Sequence, residues 1–174
     1  MIYDNLLPEN DLVKLLDLIE SVNFPYYWQE DIDYGNKTTN DISNYGFAHL
    51  FFDEGNKLYS PFLDQIEPVV LAMCERLGKP LQQLLRIRAV LLTNVGCKHQ
   101  NIKHVDLDDY PNSFTGIFYP NDTDGDLYVY DGDTVNTIEP LRNRCVILGG
   151  SVPHHGSNPV KHKRRVVINV NFVV

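Results

Sequence analysis

Along the first third of this chain apolar residues recur at helical spacing; beyond about residue 84 they fall at strand spacing. From Pro8 to Ser21, Leu12, Val13, Leu15, Leu16 and Ile19 share one face behind a proline suited to a first turn, which predicts an amphipathic helix. A second helical pattern opens at Ser60-Pro61, with Ser60 as N-cap and Pro61 at the first helical position. It carries Phe62, Leu63, Ile66, Val69, Val70, Met73 and Leu77; Gly78 is placed to end it and Pro68 to kink it. After it come short runs broken by Gly, Asn and Asp, predicting strands at Arg86 to Thr93, Ile102 to Asp106, Ser113 to Tyr119, Leu127 to Tyr130, Val135 to Ile138, Arg144 to Leu148 and Arg165 to Val173. Many short strands that do not alternate with helices predict a sandwich or barrel.

A chain of 174 residues, 43% hydrophobic, is long enough for one core and too short for two ordinary domains, so a single domain spanning 1–174 is expected. The formal charge of −8 does not suit a broad polyanion-binding surface, so nucleic acid is not expected as a partner. Cys74, Cys97 and Cys145 are widely spaced and odd in number; they read as free thiols of a reducing compartment. The opening Met1-Ile-Tyr-Asp has no basic region or long apolar core, and no apolar run approaches a membrane span; a cytoplasmic location without membrane association is expected.

The most informative chemistry lies in the second half: His104-Val105-Asp106, then His155, then Arg165. On a strand, a His-x-Asp pair presents both side chains on one face, and an imidazole from a distant strand can complete a three-ligand cap that leaves a metal's other positions open. His-x-Asp alone is a weak signal. Joined by His155-Gly-Ser-Asn-Pro159-Val160 and by Arg165, it becomes a strong one.

In this order, His104-Val-Asp106, Tyr119-Pro-Asn121, Gly125-Asp126-Leu127, His155-Gly-Ser-Asn-Pro159-Val160 and Arg165, the chain resembles the iron(II)- and 2-oxoglutarate-dependent oxygenases, in particular their prolyl 4-hydroxylase-like branch. The match covers roughly residues 84 to 174. It implies a mainly β fold with N-terminal helices and a double-stranded β-helix, the cupin-like jelly roll, as its core: residues 1–83 would give helical support and substrate-side elements, residues 84–174 the core with the metal site. Iron(II) must hold a bidentate 2-oxo acid and still admit dioxygen, so the protein supplies only three ligands, implied here to be His104, Asp106 and His155. Adjacent side chains on an extended segment point to opposite faces, so only one of His154 and His155 can reach the metal. Counting to Pro159 and Arg165 favours His155.

Arg165 begins the run Val166-Val-Ile-Asn-Val-Asn-Phe172 in phase with Val167, Asn169 and Asn171, and an arginine on an inward face needs an anion. The distal carboxylate of 2-oxoglutarate fits its planar guanidinium, with Arg164 the alternative; Lys161 and Lys163 read as a solvated loop. Tyr119 resembles the family's cosubstrate-binding tyrosine. Where many relatives place a tyrosine ten residues before the first metal histidine, this chain has Asn94; Asn94 and Asn169 are polar groups that could reach the same acid. Asp122-Thr-Asp124-Gly-Asp126 lacks the closing Glu of a calcium loop and reads as a turn between strands, and His49, His99 and His162 read as surface or locally bonded.

Phe24-Pro-Tyr-Tyr-Trp28 reads as packing between helix and sheet, and the polar segment Gln29 to Asn44 as a lid over the iron. The resemblance implies an oxidoreductase that consumes 2-oxoglutarate and dioxygen, with ascorbate as a supporting reductant, and hydroxylates a peptidyl-prolyl or similar protein side chain. The alternatives are a small-molecule hydroxylase, a non-catalytic jelly-roll binding module, and a sugar isomerase on the same scaffold, which would have no need of an anion site at Arg165.

Overall fold

Strand segments apolar at every position, such as Val166 to Ile168, must be covered on both faces, and the helices with a second sheet do this. The computed structural model describes residues 1–32, 44–108 and 110–174. Its elements are β1 (Ile2–Tyr3), α1 (Glu9–Ile19), β2 (Tyr27–Gln29), β3 (Gly46–Asp53), β4 (Leu58–Tyr59), α2 (Leu63–Leu77), β5 (Gln83–Thr93), β6 (Ser113–Tyr119), β7 (Leu127–Asp131), β8 (Thr134–Ile138), β9 (Arg144–Gly149), β10 (His154–His155) and β11 (Arg164–Val173). The main sheet runs β1-β9-β6-β11-β5-β3-β2, with β4 on β3, and the minor sheet runs β10-β7-β8. All recorded pairings are antiparallel. This is the mainly β, jelly-roll architecture expected, with its helices in the N-terminal half.

Both helices form where the periodicity places them. Leu12, Leu15 and Ile19 of α1 and Ile66, Val69, Val70, Met73 and Cys74 of α2 are buried, whereas Val13 is exposed. The Pro8 carbonyl accepts the Asp11 and Leu12 N–H groups, and Glu9 and Asp11 sit where the helix dipole favours negative charge. Ser60 does not cap α2: its hydroxyl accepts the Phe62 N–H at 3.2 Å, and the helix starts at Leu63. Gly78, at φ +64°, ends it as expected, because the left-handed conformation carries no penalty without a Cβ.

Three corrections concern strands. The segment Ile102 to Asp106 forms no strand; it makes one isolated bridge, His104 to His154. The N-terminal half is not only helical, since β3 is an inner strand of the main sheet. Its Gly46, Ala48 and His49 weaken any run of strand-formers, and pairing with β5 overrides that local weakness. The third is β10, too short to be seen in a local pattern. The lid expected from Gln29 to Asn44 lies for the most part outside the described residues.

Strand alternation divides the interior in two. Ile87, Ala89, Phe118, Cys145, Ile147, Val166, Ile168, Val170 and Phe172 face the helices in one buried cluster. Val90, Leu92, Ile117, Tyr119, Val146, Leu148 and Val167 face the minor sheet in a second, together with Leu127. Arg86, Arg88, Arg165, Asn169 and Asn171 belong to this second face, in cross-strand pairs Arg86 with Asn171, Arg88 with Asn169, and Leu92 with Arg165. Cys74, Cys97 and Cys145 are free thiols, and among the described residues no helix is long and apolar enough to cross a membrane.

Phe118 is fully buried on the helix face of β6. Phe118→Ala should cost about 3–5 kcal/mol and lower the melting temperature by on the order of 10 °C, measured by reversible thermal unfolding. A loss under about 1 kcal/mol would show that the helices do not rest on this face.

Candidate metal centre and anion pocket

His104 and His154 exchange a pair of backbone hydrogen bonds, N to O at 3.0 and 2.9 Å, so the two lie directly opposite one another. Opposed residues of an antiparallel pair project to the same side, and the imidazole centroids stand 4.7 Å apart. Asp106, two residues on, closes the cluster: its Oδ2 is 3.7 Å from His154 Nε2 and its Oδ1 is 4.0 Å from His104 Nε2. Both spans are shorter than twice a metal–ligand bond of about 2.1 Å, so one ion between them can touch all three groups.

The third member of the cluster is therefore His154, and the expectation of His155 is corrected. His154 pairs with Val129 and His155 with Tyr128, so the pleat that sends His154 inward sends His155 out. His155 stacks on Tyr128 at 4.8 Å and its Nδ1 lies 3.3 Å from the Tyr130 hydroxyl. Counting along the chain misses this because Gly156 to Lys163 is an irregular connection, across which the two-residue period does not carry back from Arg165.

Both inward imidazoles are held in a ligand-ready tautomer. His104 Nδ1 lies 2.8 Å from the Ile102 carbonyl and His154 Nδ1 lies 2.9 Å from the Val152 carbonyl. A carbonyl only accepts, so Nδ1 carries a proton, and Nε2, the atom that faces Asp106, is the one available to a metal. Burial pushes His154 below its ordinary pKa against the pull of Asp106, which favours the neutral ring. Burial opposes ionisation of Asp106, but His154, Arg86, His104 and the Asn171 amide together outweigh it and hold the carboxyl below the usual range. Arg86 Nη2 donates to Asp106 Oδ1 at 3.2 Å, and Asn171 Nδ2 donates to Oδ2 at 3.2 Å and to Thr115 Oγ1 at 3.0 Å. Two imidazole nitrogens and one carboxylate form a donor set suited to a divalent first-row metal with open positions.

Between the two sheets, His104 and His154 share one pocket with Arg165, along with Arg88, Asn169 and Asn101 and apolar walls of Val90, Leu92, Ile117, Leu127 and Val167. Arg165 is 4% exposed. Its Nε donates to the Gly125 carbonyl at 3.0 Å and its Nη2 to the Tyr119 hydroxyl at 3.3 Å. Burial raises the Tyr119 phenol above its ordinary pKa, partly offset by Arg165, so it stays protonated and keeps a proton to donate.

Asn169 lines the pocket wall, and Tyr119 sits against Arg165. Asn94 does not reach the pocket: it is exposed, and its amide donates to the Val160 and His162 carbonyls at 3.0 and 3.2 Å, because β5 ends at Thr93 and Asn94 leaves the sheet. Arg164 is exposed and ion-paired with Glu20 on the opposite face. His49 is buried between the Pro25 carbonyl and the Ser60 hydroxyl, 2.8 Å from each, so it is locally bonded as one reading held, but it is no surface residue. Sequence reasoning passed over Arg86, Arg88 and Asn171. Their signal was present in Leu84-Leu-Arg-Ile-Arg-Ala89, where charges alternate with apolar residues on a strand otherwise apolar on both faces.

No protein-family model matches the sequence, and no curated protein matches it. Solved structures do match over nearly the whole chain. An oxidoreductase of the 2OG-Fe(II) oxygenase family from Burkholderia pseudomallei has a TM-score of 0.73 at 11% identity, with 99% of this chain and 84% of the other covered. The fold is that of the 2-oxoglutarate- and iron(II)-dependent oxygenases. A prolyl hydroxylase from Trichoplax adhaerens, solved with a peptide fragment of the hypoxia inducible factor oxygen degradation domain, matches with a TM-score of 0.67 at 16% identity over 99% of this chain and 82% of that one. The epimerase SnoN, solved with Fe3+, alpha ketoglutarate and nogalamycin RO, matches at 0.65 and 13% identity over 99% and 78%.

His154→Ala should abolish stoichiometric binding of manganese(II) or cobalt(II), read by calorimetry on the purified protein, whereas His155→Ala should keep it. Metal binding that survives in His154→Ala and disappears in His155→Ala would restore the sequence-based assignment.

Proposed function

We propose that this chain is an iron(II)- and 2-oxoglutarate-dependent oxygenase that hydroxylates a peptidyl-prolyl or similar protein side chain with release of succinate and carbon dioxide. The observation that carries the proposal is that one pocket is lined both by His104 and His154 of the metal cluster and by the buried Arg165. A relic binding module would have no reason to keep both the cluster and the arginine, and a sugar isomerase would have no use for the second.

In this reading His104 and His154 would each offer Nε2 and Asp106 one carboxylate oxygen to iron(II), a donor set that leaves other positions open. Iron(II) held there supplies dioxygen activation, with 2-oxoglutarate oxidised to succinate and carbon dioxide as the source of electrons. Arg165 receives the distal carboxylate in paired hydrogen bonds, and the Tyr119 hydroxyl fixes the guanidinium plane and offers its own proton to the same acid. Val90, Leu92, Ile117, Leu127 and Val167 keep water from the acid, which strengthens every charge interaction in the pocket. Arg86 and Asn171 hold Asp106 ionised and oriented from behind.

The protein side-chain substrate rests on the order of motifs in the sequence, and the fold match to a prolyl hydroxylase agrees with it. A small-molecule hydroxylase is the second reading, because the same fold serves SnoN, solved with nogalamycin RO. Incubating the protein with iron(II), 2-oxoglutarate and ascorbate and following succinate against panels of proline-containing peptides and of metabolites separates the two: coupled turnover is expected with the peptides.

Replacing Arg165 tests the cosubstrate. Arg165→Lys keeps the charge and loses the paired hydrogen bonds, so 2-oxoglutarate affinity should fall about ten- to a hundredfold, and further in Arg165→Met, with metal binding retained. Unchanged affinity in both variants would exclude this use of 2-oxoglutarate.

A further inference from the structure

Arg165 is the first inward residue after an irregular connection, and nothing in its own strand sets where its guanidinium points. Three consecutive residues of the link between β6 and β7 do. Thr123 Oγ1 donates to the Arg164 carbonyl at 3.0 Å, and the Gly125 carbonyl accepts Arg165 Nε at 3.0 Å. Between them, the Asp124 carboxylate accepts the successive backbone N–H groups of Val160, Lys161 and His162 at 2.8, 3.0 and 3.0 Å, and lies 2.9 Å from His162 Nδ1. Three converging N–H groups form an anion nest, and a carboxylate from the facing loop fills it. Burial works against the Asp124 charge, but the Val160 N–H, the His162 ring and the other two N–H groups hold its carboxyl far below the usual range.

The slot around Arg165 is shaped by the same link. A Cβ on Gly125, which sits at φ +103°, would come within 2.5 Å of the Ser157 carbonyl oxygen and 2.9 Å of Arg165 Cδ. One on Gly156 would come within 3.2 Å of Arg165 Nη2. The guanidinium therefore runs between two bare backbones whose separation depends on how tightly the 160–162 nest is tied to residue 124.

We propose that Asp124 is a positioning residue for Arg165: by filling the 160–162 nest it sets the slot that aims the guanidinium at the distal carboxylate of the cosubstrate. This rests on the reading of Arg165 as the 2-oxoglutarate site. Asp124 touches neither the acid nor the metal, so its loss weakens binding of the acid and leaves the metal cluster alone. Asparagine keeps the size but turns an N–H2 toward donors, so Asp124→Asn is the sharper variant and Asp124→Ala the second.

The experiment is calorimetric titration of 2-oxoglutarate into manganese(II)-loaded protein, with manganese(II) affinity measured separately, on the parent, Asp124→Asn, Asp124→Ala, Arg165→Met and the double variant Asp124→Asn/Arg165→Met. Asp124→Asn should weaken 2-oxoglutarate about tenfold or more with manganese affinity within about twofold. It should add almost nothing in the Arg165→Met background, because its effect passes through that side chain. Asp124 variants that bind 2-oxoglutarate like the parent, lose metal and acid together, or weaken the acid equally with and without Arg165, overturn the proposal. If Arg165→Met itself binds 2-oxoglutarate like the parent, the underlying reading of the site fails instead.

Discussion

The arrangement depends on β11 being hydrogen-bonded along both edges, to β5 and to β6. A strand paired on both sides cannot slip by one residue without moving every side chain to the other face. Its even positions, Val166, Ile168, Val170 and Phe172, are locked against the helices, and this forces Arg165, Val167, Asn169 and Asn171 toward the minor sheet. The apolar side holds the register, and the register aims the polar side. A charge placed inward is tolerable because the opposite face of the same strand is anchored by large apolar burial.

Buried charge then organises the rest of the pocket. Asp106, with a side chain only 10% exposed, has Arg86, Asn171 and two imidazoles around it. Arg165 has the Tyr119 hydroxyl and the Gly125 carbonyl. A desolvated ion is costly unless it is paired or hydrogen-bonded, and Asp106 and Arg165 both meet that condition. A carboxylate–imidazole cluster and a guanidinium around one pocket give it a polarity suited to a small anionic chelator.

The outer face of the minor sheet has a different character. His155 stacks on Tyr128, Lys103 lies 3.9 Å from the Tyr130 ring centroid, and Lys98 pairs with Asp126. These contacts fix β10 from outside. The same pairing that turns His155 toward the tyrosines brings His154 opposite His104, so the outer aromatic packing and the inner cluster are two consequences of one backbone register.

Much of this was legible in the sequence. The alternation in Arg165 to Val173 identified a strand with a polar face and put Arg165 on it; the 3.6-residue spacing of Leu12, Leu15 and Ile19 and of Ile66, Val69 and Met73 placed both helices; and His104-Val-Asp106 supplied two members of the cluster. Periodicity is a local property, and within a continuous element it identifies each face. It could not choose between His154 and His155, because a two-residue strand after a turn has no period of its own and takes its orientation from its partners, His104 and β7. Nor could it find Arg86 and Asn171 behind Asp106, or Asp124 beneath the 160–162 loop, since these contacts join residues 20 to 65 positions apart. Side-chain chemistry and strand phase are written in the sequence itself. Which face a short isolated segment presents, and which distant group meets a buried charge, were decided only by tertiary pairing, because such contacts exist only once the strands that carry them are side by side.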